Sequence, residues 1–203
     1  MTTDEKATFM LMVLDESGSM GSKRQDVVGG FNTFIQEQRQ DSSPCRVSLI
    51  KFNTRPTHVF DAKALAEVPL LDEKSYCPGG NTALFDAVAE AVRLADQHRQ
   101  PEERVLCVVM TDGEENSSRE TTGEQVKQII TSREAPGDWT FVYIGASPDA
   151  WAHEMGLSAQ NVAAYDPNAP GSSFKSLSES TLRYRKKSAR SSRDFLKKDG
   201  NGA

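Results

Sequence analysis

The apolar stretch Phe9-Met10-Leu11-Met12-Val13-Leu14 runs directly into Asp15-Glu16-Ser17-Gly18-Ser19. Six consecutive apolar residues are typical of a strand that is buried on both faces of a sheet. The residues that follow place a carboxylate and two hydroxyls directly after the end of that strand. Ligands of open α/β sheets bind at the carboxyl ends of the strands. This junction therefore predicts the class of fold and the position of a functional site.

Two later segments repeat the arrangement. Val105–Met110 is a second apolar run that ends in Thr111-Asp112-Gly113, and Gly79-Gly80-Asn81-Thr82 opens a stretch with helical periodicity. Carboxylate and hydroxyl oxygens without imidazole or thiolate suit Mg²⁺, Mn²⁺ or Ca²⁺ and do not suit Zn²⁺. The sequence thus predicts a site for one divalent cation, and the five oxygen donors that we expect in it are Asp15, Ser17, Ser19, Thr82 and Asp112.

Apolar runs alternate with amphipathic stretches along the rest of the chain. The predicted strands are 9–14, 46–53, 57–61, 104–111, 139–145 and 161–165, and the predicted helices are 22–40, 82–99, 123–133, 149–155 and 172–185. Strands separated by helices indicate a doubly wound α/β fold with a mostly parallel, six-stranded sheet. Residues 57–61 are predicted to be its single antiparallel edge strand. Gly29 and Gly30 lie inside the first helix, where we expect close packing against the sheet.

In their order and spacing, the motifs around Asp15, Thr82 and Asp112 resemble the metal-ion-dependent adhesion site (MIDAS) of von Willebrand factor type A (VWA) domains. The resemblance runs from about residue 8 to residue 165, and the motifs are most similar to those of the small bacterial and phage branch. It implies a Rossmann-like sheet with the strand order 3-2-1-4-5-6, in which the first and fourth strands are neighbours.

The resemblance also implies a role for each ligand. Ser17 and Ser19 would bind the ion directly, and Asp15 would act mostly through water. Thr82 and Asp112 would alternate between direct and water-mediated contact. Such an ion offers one coordination place to an incoming carboxylate. We therefore expect a module that binds an acidic side chain of a protein partner, and not an enzyme; the resemblance further suggests a chaperone-like ATPase system as a partner.

Two other classes of function stay open. A metal-dependent phosphohydrolase could use Asp15 as its nucleophile, but such enzymes need a second aspartate two residues later, where this chain has Ser17. The segment 17–21 also lacks the first glycine of a hydrolase nucleophile elbow, and the sequence has no Gly-x-x-x-x-Gly-Lys-Ser/Thr phosphate loop. The third class is nucleic-acid binding through a basic tail, for which charge is the only support.

Charge is distributed unevenly over the 203 residues. The net charge is −5, but residues 172–203 carry nine Lys or Arg and three Asp or Glu, which leaves −11 on residues 1–171. We therefore predict a VWA domain over residues 1–171 and a basic C-terminal helix and tail over residues 172–203. Residues 188–203 are expected to bury little apolar surface. The net negative charge of residues 1–171 makes their surface unfavourable for binding nucleic acid.

The cysteines and the N-terminal residues indicate the cellular location. Cys45, Cys77 and Cys107 are an odd number without repeated spacing, so no disulfide framework is predicted. The first apolar run spans only six residues, which is too short for the core of a signal peptide or for a transmembrane helix. We expect a cytoplasmic protein that does not contact a membrane.

Overall fold

The computed structural model of the protein describes residues 7–166, 170–186 and 193–196. Its strands are β1 (Thr8–Asp15), β2 (Cys45–Phe52), β3 (Pro56–Ala64), β4 (Arg104–Met110), β5 (Trp139–Gly145) and β6 (Val162–Ala164). Its α-helices are α1 (Arg24–Gln38), α2 (Leu84–His98), α3 (Gly123–Glu134), α4 (Pro148–Met155) and α5 (Pro170–Lys186). Short 3-10 helices span Gly18–Lys23 and Leu65–Glu67.

The strands form one six-stranded sheet in the order β3-β2-β1-β4-β5-β6. Only the β2–β3 pair is antiparallel among the described strands; all other neighbours are parallel. The predicted fold class, strand order and antiparallel edge strand are confirmed. Leu14 of β1 is in register with Met110 of β4. The polar residues that follow these two strands are consequently neighbours at the same edge of the sheet.

The long apolar run of β1 is explained by helices on both faces of the sheet. Every residue of β1 is buried, and so is every residue of β4. Met10, Met12 and Leu14 share one apolar cluster with α1 and α5, whereas the alternate residues of β1 share the opposite cluster with α2, α3 and α4. A strand without a solvent-facing side has no position for a polar side chain until it ends at Asp15.

The first helix differs from its prediction. A 3-10 helix follows β1, and α1 begins only at Arg24. A Cβ on Gly30 would lie 2.2 Å from Cδ2 of Phe174, so this glycine allows α5 to approach α1 closely. A Cβ on Gly29 would meet nothing within 4 Å. The expectation that both glycines pack against the sheet is therefore wrong, because Gly30 faces a helix and Gly29 faces open space.

The C-terminal region joins the core. The side chain of Arg185 in α5 is fully buried and donates to the backbone carbonyls of Gln38 at 2.7 Å and Ser43 at 2.8 Å. Phe195 is only 3% exposed and contacts Tyr184 edge-on, with ring centroids 5.7 Å apart.

The prediction that residues 188–203 bury little is therefore wrong for Phe195, because its ring fills a gap beside α5. Residues 188–192 and 197–203 lie outside the described residues. The helix predicted at 172–185 is confirmed by α5, and the domain boundary at residue 171 stays a prediction. No helix in the described part of the chain is long and apolar enough to cross a membrane.

Candidate metal centre

Asp15 forms the base of the site. It is the last residue of β1 and is completely buried. Its Oδ1 accepts the N–H of Ser17 at 2.7 Å, and its Oδ2 accepts the hydroxyl of Thr111, which directly follows β4. The hydroxyl of Tyr76 donates to the backbone carbonyl of Asp15. Burial raises the pKa of Asp15, although the hydrogen bonds from Thr111 and Ser17 act in the opposite direction. A nearby cation would favour the ionised carboxylate.

Ser17, Ser19 and Asp112 form a continuous chain of polar contacts. The Oγ atoms of Ser17 and Ser19 lie 3.1 Å apart. The Ser19 hydroxyl donates to Oδ1 of Asp112 at 2.6 Å. The 3-10 helix makes this possible, because it turns the chain immediately after β1 and directs both serines toward the end of β4.

Thr82 reaches the same region from the loop before α2. Its N–H donates to Oδ1 of Asn116 at 2.9 Å, and the N–H of Asn116 donates to the Thr82 carbonyl at 3.0 Å. A Cβ on Gly113 would lie 3.4 Å from Oγ1 of Thr82, 3.8 Å from Oγ of Ser19 and 3.9 Å from Oδ2 of Asp15. Oxygens of Asp15, Ser19 and Thr82 therefore lie within 4 Å of one point beside Gly113. Asp112 joins them through its hydrogen bond from Ser19.

Gly80 lets the loop before Thr82 pass close to Thr54, which follows β2. Gly80 has a φ of +78°, and a Cβ there would lie 2.7 Å from Oγ1 of Thr54. The Gly80 carbonyl accepts the N–H of Gly18 at 3.0 Å, and the N–H of Gly79 donates to the Glu16 carbonyl at 2.9 Å. These bonds join the loop directly to the loop that carries both serines.

The structure brings together all five residues predicted as ligands. Two are carboxylates and three are hydroxyls, a set of hard oxygen donors that fits a divalent cation such as Mg²⁺. Within the described residues, no group of three or more His, Cys, Asp or Glu could hold a metal ion. A cation at this edge of the sheet would therefore depend on the hydroxyl oxygens.

Two residues near the site were missed by the sequence reasoning. The Lys23 ammonium forms an ion pair with Oδ2 of Asp112; its position four residues after Ser19, about one turn further, is the signal that could have indicated it. Asn116 fixes the backbone of Thr82 on both sides. Glu115, from the same loop as Asn116, accepts the N–H of Phe85 at 2.9 Å and so stabilises the start of α2.

The family comparison agrees with this geometry. The model of the von Willebrand factor type A domain matches residues 10–163. The chain belongs to the VWA family. Among curated proteins, none matches this sequence.

Several solved structures share the fold of this VWA domain. A von Willebrand factor type A protein from Catenulispora acidiphila is 15% identical with a TM-score of 0.61, over 87% of this chain and 43% of that one. Proximal thread matrix protein 1 from the mussel byssus, with a zinc-occupied MIDAS motif, is 16% identical with a TM-score of 0.58, over 81% and 42%. The PilB minor pilin from Streptococcus sanguinis is 12% identical with a TM-score of 0.67, over 88% and 62%. This chain thus spans less than two thirds of each of them.

Proposed function

We propose that this VWA domain binds one divalent cation, Mg²⁺ in the cell, and uses it to capture an acidic side chain of a protein partner. The ligands would be the five residues described above, in the roles that the resemblance implies. The observation that carries the proposal is that oxygens of Asp15, Ser19 and Thr82 lie within 4 Å of one point beside Gly113, with Asp112 bonded to Ser19. The Ser17 side chain makes no capping hydrogen bond to the 3-10 helix that follows it, so helix capping does not explain its position.

The donor set suits capture of a carboxylate. Three of the five donors are neutral hydroxyls. The two carboxylates only balance the charge of a divalent ion, so little excess negative charge would repel an incoming carboxylate. Asp15 already accepts hydrogen bonds on both of its oxygens, which fits contact with the ion through water. Mg²⁺ takes six oxygen ligands and keeps several waters. One of these waters can be exchanged for a carboxylate oxygen of a partner.

The environment of Asp15 is unfavourable for the phosphohydrolase alternative. A nucleophilic carboxylate needs an oxygen that can reach the substrate. Asp15 is completely buried, and each of its oxygens is engaged by Ser17 or Thr111. This supports an interaction module in preference to an enzyme.

The nucleic-acid alternative also loses support. It depends on the basic residues after position 171. Arg185 is fully buried against the C-terminal end of α1 and cannot contact a phosphate. Arg183 is half-buried and donates to Oγ of Ser180 at 2.9 Å. The basic surface is therefore smaller than the charge count suggests.

The similar solved structures support the proposal through their fold and through the metal bound in one of them. The mussel protein is described with zinc in its MIDAS motif, and the Streptococcus protein is a pilin. Zn²⁺ therefore belongs in any binding test, although hydroxyl and carboxylate ligands favour Mg²⁺. A cytoplasmic location, the small bacterial or phage branch and a chaperone-like ATPase partner stay predictions from the sequence.

Calorimetry on chelator-treated protein tests the cation. We expect one ion bound per chain for Mg²⁺ and Mn²⁺, with Ca²⁺ and Zn²⁺ titrated beside them. Asp112→Ala, Ser19→Ala and Thr82→Ala should each weaken binding at least about tenfold, which corresponds to about 1.4 kcal/mol. Ser22→Ala is the matched control, because this exposed serine lies in the same 3-10 helix. Equal binding by all variants would refute the site.

Capture of a carboxylate has its own test. In the Mn²⁺-loaded protein, N-acetyl-aspartate methylamide should displace a metal-bound water and lower the relaxation rate of bulk water, whereas the asparagine compound should not. Crosslinking in cells with and without chelator then identifies the partner. Turnover of phosphate esters that is lost in Asp15→Asn would favour the phosphohydrolase instead.

A further inference from the structure

A slot of about 390 Å³ opens beside the candidate metal centre. Stacked aromatic rings contribute to its lining: the centroids of Tyr143 and Trp151 are 4.7 Å apart with planes at 13°, and Phe85 lies 6.0 Å from Trp151. Gly113 lines the same slot and separates it from the converging oxygens. A ligand bound to the ion would therefore have its neighbouring side chains next to these rings.

All charged residues that line the slot are glutamates. Glu115 is used inside the domain, where it accepts N–H groups from Phe85 and Ser118. Glu114 and Glu154 are exposed, and neither side chain forms a hydrogen bond or an ion pair with any residue in the described part of the chain. The slot thus combines aromatic rings with two available negative charges.

Tyr143 adds an unused polar group. It is only 3% exposed and lines the slot. Its hydroxyl has no hydrogen bond to any residue that the structure describes. Unlike the Tyr165 hydroxyl, which is fully buried without a partner, this hydroxyl is open to solvent. A group that enters the slot can therefore form a hydrogen bond with it.

The chemistry of the slot selects a planar cation. The faces of Tyr143 and Trp151 stack on each other, and the half-buried ring of Phe85 is the most exposed of the three. Aromatic faces attract cations, and a guanidinium stacks on them more readily than an ammonium does. A guanidinium also donates to carboxylates in a fixed fork. We propose that the slot takes an arginine side chain of the partner, close in sequence to the acidic residue that binds the ion. The part of this proposal that concerns the acidic residue rests on the proposed function above. The arginine site rests on the geometry and charge of the slot alone.

The geometry also limits the spacing in the partner. The slot and the converging oxygens lie on either side of a single residue, Gly113. An extended chain spans about 3.4 Å per residue, and an arginine side chain is long. The arginine is therefore expected within three positions of the acidic residue.

A small probe tests the slot without metal or partner. N-acetyl-arginine methylamide is titrated into chelator-treated protein, and the indole N–H resonance of Trp151 is followed by NMR. The resonance should shift in a saturable manner. The neutral citrulline compound, which has nearly the same shape, should bind at least about tenfold more weakly. Trp139 is the internal reference, since it packs against Arg133 and Phe141 and does not line the slot.

Two variants test the charges. Glu114→Gln combined with Glu154→Gln should reduce the affinity for the arginine compound to that for citrulline, and a retained NMR spectrum elsewhere shows that the variant is folded. Glu102→Gln, an exposed glutamate outside the slot, should change nothing. No shift of Trp151, or equal affinity for both compounds, overturns the proposal.

Peptides then join the two halves. Short peptides with one aspartate and one arginine one to three positions away are measured in Mg²⁺ against their citrulline counterparts. An arginine preference that disappears in the double glutamine variant supports the bipartite ligand. If no spacing shows an arginine preference, the bipartite ligand is overturned. If replacing the aspartate by asparagine has no effect while the arginine preference persists, the proposed carboxylate capture fails and the arginine site stands.

Discussion

The ammonium of Lys23 is paired with the carboxylate of Asp112, one of the five candidate metal ligands. The side chains are 16% and 7% exposed, so water screens this pair only in part. The other oxygen of Asp112 accepts the Ser19 hydroxyl. Lys23 thus places a monovalent cation beside the position where the converging oxygens would hold a divalent one, and the two positive charges compete for Asp112.

Replacing Lys23 with methionine should therefore strengthen metal binding. Methionine keeps most of the apolar stem but removes the competing charge. We expect calorimetry to show about tenfold tighter Mg²⁺ binding, or about 1.4 kcal/mol. In chelator, the same variant should be less stable than the wild type, because Asp112 loses its counter-ion. Lys63→Met, at an exposed position of β3, is the control. Unchanged or weaker Mg²⁺ binding by Lys23→Met would show that the ion pair does not oppose the metal.

The local pattern of the sequence was sufficient to predict the sheet and the candidate ligands. β1 and β4 are buried on both faces, so their apolar runs are continuous and end abruptly at Asp15 and Thr111. Strand ends in a parallel sheet share one edge, which was enough to place Asp15 and Asp112 there. Thr82 follows no strand and reaches the site from the loop before α2. Neighbouring residues in sequence predicted the strands, whereas the strand order that places β1 beside β4 came from the resemblance to VWA domains.

Contacts between distant segments could not be predicted in this way. Arg185 appears in the sequence as one of many basic residues, yet it is buried because the end of α1 offers backbone carbonyls to it. Phe195 lies in a polar segment and is buried because its ring packs against Tyr184 and its N–H donates to Asn161. In each case the deciding partner is far away in the sequence, and composition contains no record of it.

The adjacent glycines of α1 should respond to alanine with opposite signs. Gly29→Ala adds a methyl group that meets nothing, so helix propensity should stabilise the protein by about 0.5–1 kcal/mol. Gly30→Ala drives its Cβ into the ring of Phe174, so we expect a loss of about 1–3 kcal/mol. Urea denaturation of both variants measures the difference, and each is the control of the other. Equal effects would mean that α5 does not lie against Gly30 in solution.

Acid should weaken the anchor of α5 on α1. Burial acts to raise the pKa of Asp41, but hydrogen bonds from Ser43 and the charges of Arg185 and Lys186 outweigh it and hold the pKa below its ordinary 3.8. The folded protein therefore binds this proton less readily than the unfolded chain. The resulting stabilisation is present above pH 3.8 and is lost as the pH falls through the lower, folded-state value.

The variant Asp41→Asn should consequently be less stable than the wild type at pH 7, and this difference should shrink toward pH 3. Urea denaturation in chelator at several pH values measures it. Glu102→Gln, at an exposed glutamate, should show no such trend. A difference that stays constant with pH would exclude Asp41 as the titrating group.

Removal of the Phe195 side chain should destabilise the whole domain. Its ring is buried against Tyr184, and its N–H donates to Oδ1 of Asn161 at 3.0 Å. Phe195→Ala leaves a cavity in the cluster that also contains residues of β1 and α1. We expect a loss of about 3 kcal/mol, which lowers the melting temperature of a domain of this size by about 6–12 °C. Leu196→Ala, at a half-buried neighbour, should cost clearly less stability.

Truncation after Lys186 should be at least as destabilising as Phe195→Ala, because it removes the ring and the hydrogen bond together. Nearly unchanged melting temperatures in both would mean that the segment around Phe195 does not pack against the domain in solution, and that the sequence was right to predict a loose tail.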